Sequence, residues 1–244
     1  MKTRRIFRTP LCSALAAVSL AGASQVSASV VIAGTRVIYN AGEPETTIRL
    51  TNNGKAPSLT QVWIDKGDIN ASPSNLDVPF TVTPPVSRLD PSKAQTLRIA
   101  YTGEALPQDK ETVFWLNVLD IPPKAKAEGD VNLLQLAFRS RIKLFFRPAG
   151  LHGQAEEAPM QVTWKLVRGG IEASNPTSYH VSYAAIEVKA GSKVAKFEDG
   201  GMVGPGETKV FPLKGDVTNL PDAKVLYQAI NDWGGSTTEE ASLK

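Results

Sequence analysis

One stretch of this chain restricts its fold more than any other. Across residues 133–147 the even positions are Leu134, Leu136, Phe138, Ser140, Ile142, Leu144 and Phe146, all apolar but Ser140. The odd positions include Gln135, Arg139, Arg141, Lys143 and Arg147. A period of two places an apolar and a largely basic edge on opposite faces of a β-strand. At about 3.3 Å per residue the stretch would span roughly 50 Å, whereas a typical strand covers about 17–20 Å. One sandwich does not cover that much apolar face. Ile142, Leu144 and Phe146 are therefore expected in the core of their own domain. Leu134, Leu136 and Phe138 are expected to overhang it, available to another molecule. The plainer alternative puts every even position in one core. An exposed apolar strand edge invites aggregation, so a protein that keeps one has a use for it, and strand addition is the matching mode of recognition. Burying a Leu or Phe side chain contributes about 1.5–3 kcal/mol. Three would contribute about 5–9 kcal/mol before the ordering cost.

The rest of the chain has the same strand habit. Residues 30–39, 46–51, 59–65, 96–101 and 112–119 are short runs rich in β-branched and aromatic side chains, separated by turn residues such as Asn52-Asn53-Gly54 and Asp90-Pro91-Ser92. After Pro148-Ala149-Gly150-Leu151-His152-Gly153, which reads as a linker, further strands are expected at 161–167, 181–188, 208–213 and 224–230. No helical periodicity is sustained. The pattern is all-β, an antiparallel sandwich or barrel repeated twice, with domains expected at 29–150 and 151–244.

Residues 1–28 read as a leader. Lys2, Arg4, Arg5 and Arg8 precede an apolar run over residues 11–21, and Val26-Ser27-Ala28 supplies a small-residue cleavage site, so the mature chain is expected to begin at Ser29. An ordinary secretory leader fits better than a twin-arginine one, and the apolar run is too short to span a membrane. The leader takes four of the 27 basic residues and none of the 24 acids, leaving 23 to 24, a formal charge of −1. Nothing in that balance implies nucleic acid or an anionic membrane as partner. The leader also takes Cys12, the single cysteine, so the mature domains are expected to stand on their cores without disulfides, although the compartment that such a leader implies permits them.

Enzyme chemistry finds little to stand on. With His152 and His180 as the only histidines, a His/Cys metal site is not expected. Residues 200–208 are Gly-rich but lack the Gly-Lys-Ser/Thr ending of a phosphate loop. The acids are scattered, without a pair distinguished for glycoside chemistry. No cofactor, metal or small-molecule substrate is expected. Trp63, Trp115, Trp164 and Trp233 suit packing better than a sugar platform.

Several ordered stretches carry a resemblance. They are Gly34-Thr35-Arg36-Val37-Ile38-Tyr39, Thr83-Pro84-Pro85-Val86-Ser87-Arg88-Leu89, Leu97-Arg98-Ile99 and Leu106-Pro107-Gln108-Asp109-Lys110-Glu111. Phe114-Trp115-Leu116-Asn117-Val118, Ile121-Pro122-Pro123, Arg141-Ile142-Lys143-Leu144-Phe145-Phe146-Arg147-Pro148 and Ile230-Asn231-Asp232-Trp233-Gly234-Gly235 complete the set. Together the chain resembles the PapD-like periplasmic chaperones of pilus and fimbrial assembly. The resemblance implies two immunoglobulin-like sandwiches set at an angle around a cleft. It implies a pilin client lacking its last strand, with Leu134, Leu136 and Phe138 on the strand that fills the gap. It makes Arg36 and Lys143 the anchor for the client's C-terminal carboxylate, and Glu111, Arg147 and Asp232 an interdomain salt-bridge network. The bland alternatives are a solvated basic face and three separate surface charges. The resemblance also implies delivery to an outer-membrane usher, and the short segment at residues 122–132 places the chain with the subgroup that serves rod-like pili. Self-capping of the free protein as a dimer stays open, and the competing function is that of a pilus or surface structural subunit. Lys143 has the opposite parity to Leu134, Leu136 and Phe138. Either anchor and apolar side chains use different faces or a bulge intervenes, and the sequence leaves both open.

Overall fold

The structure, a computed structural model, describes residues 29–74, 76–124, 134–215 and 223–244. The leader at residues 1–28, Leu133 and most of the 122–132 segment behind the subgroup reading lie outside the described residues. The first domain comprises β1 (Val30–Ile32), β2 (Arg36–Asn40), β3 (Thr46–Asn52), β4 (Ser58–Asp65), β5 (Phe80–Thr83), β6 (Val86–Leu89), β7 (Ala94–Tyr101), β8 (Thr112–Ile121) and β9 (Phe138–Arg147). The second comprises a one-turn helix α1 (Ala158–Gln161), β10 (Thr163–Val167), β11 (Gly170–Ser174), β12 (Val181–Ala190), β13 (Lys193–Phe197), β14 (Gly201–Val203), β15 (Thr208–Pro212), β16 (Lys214–Gly215), β17 (Lys224–Ile230) and β18 (Ser236–Ser242).

Each domain is two sheets face to face. In the first, a sheet of order β1-β3-β7-β5 packs on one of order β2-β9-β8-β4-β6. Their inner faces meet in a core of Leu50, Leu97, Ile99, Phe114, Leu116, Leu144 and Phe146, all essentially without solvent exposure. Tyr39, Phe80, Tyr101 and Phe146 cluster at one end, with Tyr101 and Phe146 ring centroids 4.7 Å apart. In the second, β10-β11-β15 packs on a sheet of order β16-β13-β12-β17-β18, with β14 also paired to β12. Trp164, Tyr183 and Tyr227 fill its centre, centroids 5.2–5.7 Å apart.

The structure revises three expectations. Residues 30–39 are two strands in different sheets. Gly34, at a positive φ that favours glycine, lets the chain cross from β1 beside β3 to β2 beside β9. The strand expected over 133–147 begins at Phe138. Asp120↔Phe138 is the last rung against β8, and a strand needs a neighbour to pair with. Residues 134–137 are exposed, tethered by Gln135 Nε2 donating to the Pro122 carbonyl at 2.8 Å. Finally, β18 was not expected at all. Ser-Thr-Thr-Glu-Glu-Ala-Ser carries almost no apolar signal because it is an edge strand, yet it pairs along the whole of β17.

Candidate functional site

Among the described residues the β2–β9 pair is the one parallel strand pair of the first domain. It sets Arg36 directly beside Lys143, a meeting of residues far apart in sequence. The β8–β9 ladder runs from Thr112↔Phe146 to Asp120↔Phe138 without a register shift. No bulge intervenes. Phe138, Ile142, Leu144 and Phe146 therefore share the core face, while Arg139, Arg141, Lys143, Phe145 and Arg147 share the other. That other face lines the cleft between the domains.

Two parts of the second domain close on this face. At the start of β12, Ser182 Oγ accepts from Lys143 Nζ at 3.0 Å. At the β17–β18 turn, the carbonyl of Ile230 accepts from Arg36 Nη1 at 2.9 Å. Gly234 at the tip of that turn has φ +83°, and a Cβ there would meet Thr35 Oγ1 at 2.4 Å, so the close approach needs glycine.

Arg147 stands between the domains. Its Nε donates to Glu111 at 2.7 Å, and its Nη1 and Nη2 donate to the two oxygens of Asp232 at 2.6 and 2.9 Å. Glu111, almost fully buried, also accepts the His180 backbone N–H at 2.8 Å and lies 3.3 Å from His180 Nδ1. Its own N–H donates to the Ser178 carbonyl at 2.9 Å. Burial alone would lower the Arg147 pKa; the hydrogen bonds and charges of Asp232 and Glu111 outweigh it and raise it above the ordinary guanidinium value. Phe145 packs on His180 behind this group, centroids 5.4 Å apart. Parity did not single out Phe145, but the adjacent apolar pair Phe145-Phe146 was a readable sign that β9 is covered on both faces here.

Arg36 and Lys143 differ from Arg147 in that, among the described residues, neither is in an ion pair, although Asp232 and Glu111 lie close enough to act on the charge of Arg36. Arg36 Nε is buried without a hydrogen-bond partner. Burial lowers the Arg36 pKa, with Asp232 and Glu111 opposing. Burial, then the charges of Arg36 and Lys209, push the Lys143 ammonium down to about 8. Two desolvated, adjacent cations and an orphaned donor have the charge and geometry to take an anion.

Beyond Arg36 the lane beside β9 is open. β2 covers the edge of Lys143–Arg147; among the described residues nothing pairs with that edge of residues 138–142. Phe138 lies at its far end and Leu136 and Leu134 beyond it, 48%, 53% and 85% exposed. The tryptophans form no platform. Trp164 is core, Trp63 is buried, Trp115 lies under Arg141 with the guanidinium 4.4 Å from its ring, and Trp233 is 87% exposed at the β17–β18 turn.

Residues 29–152 match the family model for the pili and flagellar-assembly chaperone PapD N-terminal domain, and residues 157–241 match that for the pili assembly chaperone PapD C-terminal domain. The chain belongs to the PapD family of pilus-assembly chaperones. It is 45% identical over 240 residues, 95% of each chain, to the chaperone protein FimB/FhaD of Bordetella pertussis. The crystal structure of the Pseudomonas aeruginosa CupB2 chaperone superposes with a TM-score of 0.76 at 39% identity, covering 88% of this chain and 100% of that one. A Salmonella enterica SafA pilin in complex with the SafB chaperone matches with TM-score 0.76 at 28% identity, over 90% of this chain and 99% of that one. PapD-type chaperones are not enzymes, and these relatives favour a chaperone over a structural subunit. Among the described residues no helix is long and apolar enough to cross a membrane.

Proposed function

We propose that this protein is a periplasmic chaperone that holds pilin subunits by lending them a strand and hands them to an outer-membrane usher. The observation that carries the reading is the open lane on β9, which ends at Arg36 and Lys143, two neighbouring cations that are in no ion pair among the described residues. A client whose C-terminal carboxylate lies on that pair, and whose last residues fill the lane, extends the line of β2. Because β2 runs parallel to β9, the client strand also runs parallel to β9. Leu134, Leu136 and Phe138 then enter the cleft in the client's core while main-chain hydrogen bonds form along the edge. The carboxylate end fixes which residue meets which. Glu111, Arg147 and Asp232 hold the domain angle and so the distance across the cleft. Lacking a client, the exposed residues could be covered by a second copy of the chain, and its concentration-dependent mass would reveal that.

The test is capture of a co-expressed pilin by the protein and by Lys143→Glu. The reversed charge is expected to lower capture at least a hundredfold while the thermal melt stays cooperative. Undiminished capture by the folded variant would overturn the anchor.

A further inference from the structure

The cleft face of β9 presents a cation at every second position but one: Arg139, Arg141, Lys143 and Arg147. A client strand that slips by one residue turns its side chains to the wrong face. A slip by two does not. Its carboxylate would then sit one rung away with its side-chain pattern intact, and a guanidinium binds a carboxylate at least as well as an ammonium does. Neither parity nor apolar burial opposes that error, so fidelity depends on which cations are available.

The structure gives each competing cation another partner. Arg147 is held by Glu111 and Asp232. Arg139 Nη2 donates to the Ile69 carbonyl at 2.6 Å, and its guanidinium lies 5.9 Å from the Trp63 ring. Arg141, the nearest rung to Lys143 on the open lane, donates through Nη2 to Asp65 Oδ1 at 2.5 Å. Cross-strand registers put Arg36, Lys143, Trp115 and Asp65 in one row across four strands. Arg141 reaches diagonally over the Trp115 ring to the far end of that row. Asp65 is itself prepared for one guanidinium. It is buried at the end of β4 and accepts Asn117 Nδ2 at 2.7 Å and the Gly67 N–H at 2.6 Å. Burial raises its pKa, but the hydrogen bonds from Arg141, Asn117 and Gly67 outweigh burial and hold the carboxyl below its usual range.

We propose that Asp65 is a register-setting residue: by holding Arg141 against Trp115 it withdraws the nearest cation to which a client carboxylate could slip without turning its side chains over. Asp65 touches no client and acts through Arg141, so it is a positioning residue. The inference rests on the carboxylate-anchor reading above.

The probe is a short synthetic peptide of alternating leucine and serine with a free C-terminal carboxylate and a nitroxide on one residue, compared with its C-terminal amide. The full mature protein is expected to bind the acid more tightly than the amide, and Lys143→Ala to lose roughly tenfold for the acid. Adding Asp65→Asn to Lys143→Ala is expected to restore at least a threefold share of that loss, with the nitroxide moved by about 7 Å along β9 in amide relaxation measurements, two residues of strand. Arg141→Met in that double variant should abolish the recovery. A merely structural Asp65 would produce no recovery and no moved label. Absence of recovery in a folded double variant, or recovery that survives Arg141→Met, overturns the inference. Should Asp65→Asn fail to fold, Arg141→Met alone decides: affinity within about twofold of the unaltered protein and an unmoved label are expected, since Arg141 is withheld from the client. A tenfold loss would make Arg141 part of the anchor and end the proposal. Equal binding of acid and amide by the unaltered protein refutes the anchor and this inference together; discrimination there with no recovery refutes this inference alone.

Discussion

The two ends of β9 are built from the same alternating pattern and come to opposite ends. From Lys143 to Arg147 the strand has β2 on one side and β8 on the other, with Leu144 and Phe146 in the first core and Phe145 under the second domain. From Phe138 to Ile142 it has, among the described residues, β8 alone, and its apolar side chains grade from half-buried Ile142 out to Phe138 and the Leu136 and Leu134 beyond it. A side chain's identity therefore does not say what it contributes. Phe146 stabilises this protein; Phe138, chemically the same, stays half exposed. The number of neighbouring strands separates them.

That contrast can be broken by experiment. The largest effect is expected from Phe146→Ala, which should cost about 4 kcal/mol in urea unfolding through lost burial and a cavity. A cost below about 1 kcal/mol would mean that the closed end is not closed. Arg147→Met should cost about 3 kcal/mol, because Glu111 and Asp232 lose their shared cation and Glu111 is too buried to recover it from water. Thermal melts would also show whether the two domains cease to unfold together.

Lys143→Met should act in the other direction, stabilising the free protein by about 2 kcal/mol at pH 7. The folded-state pKa of Lys143 is lowered to about 8, so between there and the ordinary lysine value the unfolded chain binds more protons. The penalty of the charged ammonium is full below about pH 8 and is relieved as pH rises toward 10.5. The gain from Lys143→Met should shrink over that window, and a gain constant with pH would assign it to packing instead. The smallest effect belongs to the open end. Phe138→Ala should change stability by less than about 0.5 kcal/mol while lowering pilin capture severalfold. A destabilisation matching that of Phe146→Ala would erase the distinction.

Much of this is legible in the sequence. Parity divides β9 into an apolar and a basic face because a strand's side chains alternate whatever it packs against, and length alone said that one sandwich could not cover it. Edge strands escaped notice for the converse reason: β18, nearly all polar, is held by main-chain hydrogen bonds to β17, which leave no trace in side-chain identity. That Arg36 and Lys143 belong together was legible only through resemblance. Nothing in the spacing of Arg36 and Lys143 announces that β2 and β9 lie side by side, and Asp65, the partner that quiets Arg141, carried no signal at all.

The sequence by itself determined which side chains could be buried and which faces they share, since that follows from local backbone geometry. Only the tertiary structure decided which of those faces stay uncovered and which cations stand outside an ion pair. Both depend on which strands become neighbours, and pairing across long separations is settled by the whole chain's packing.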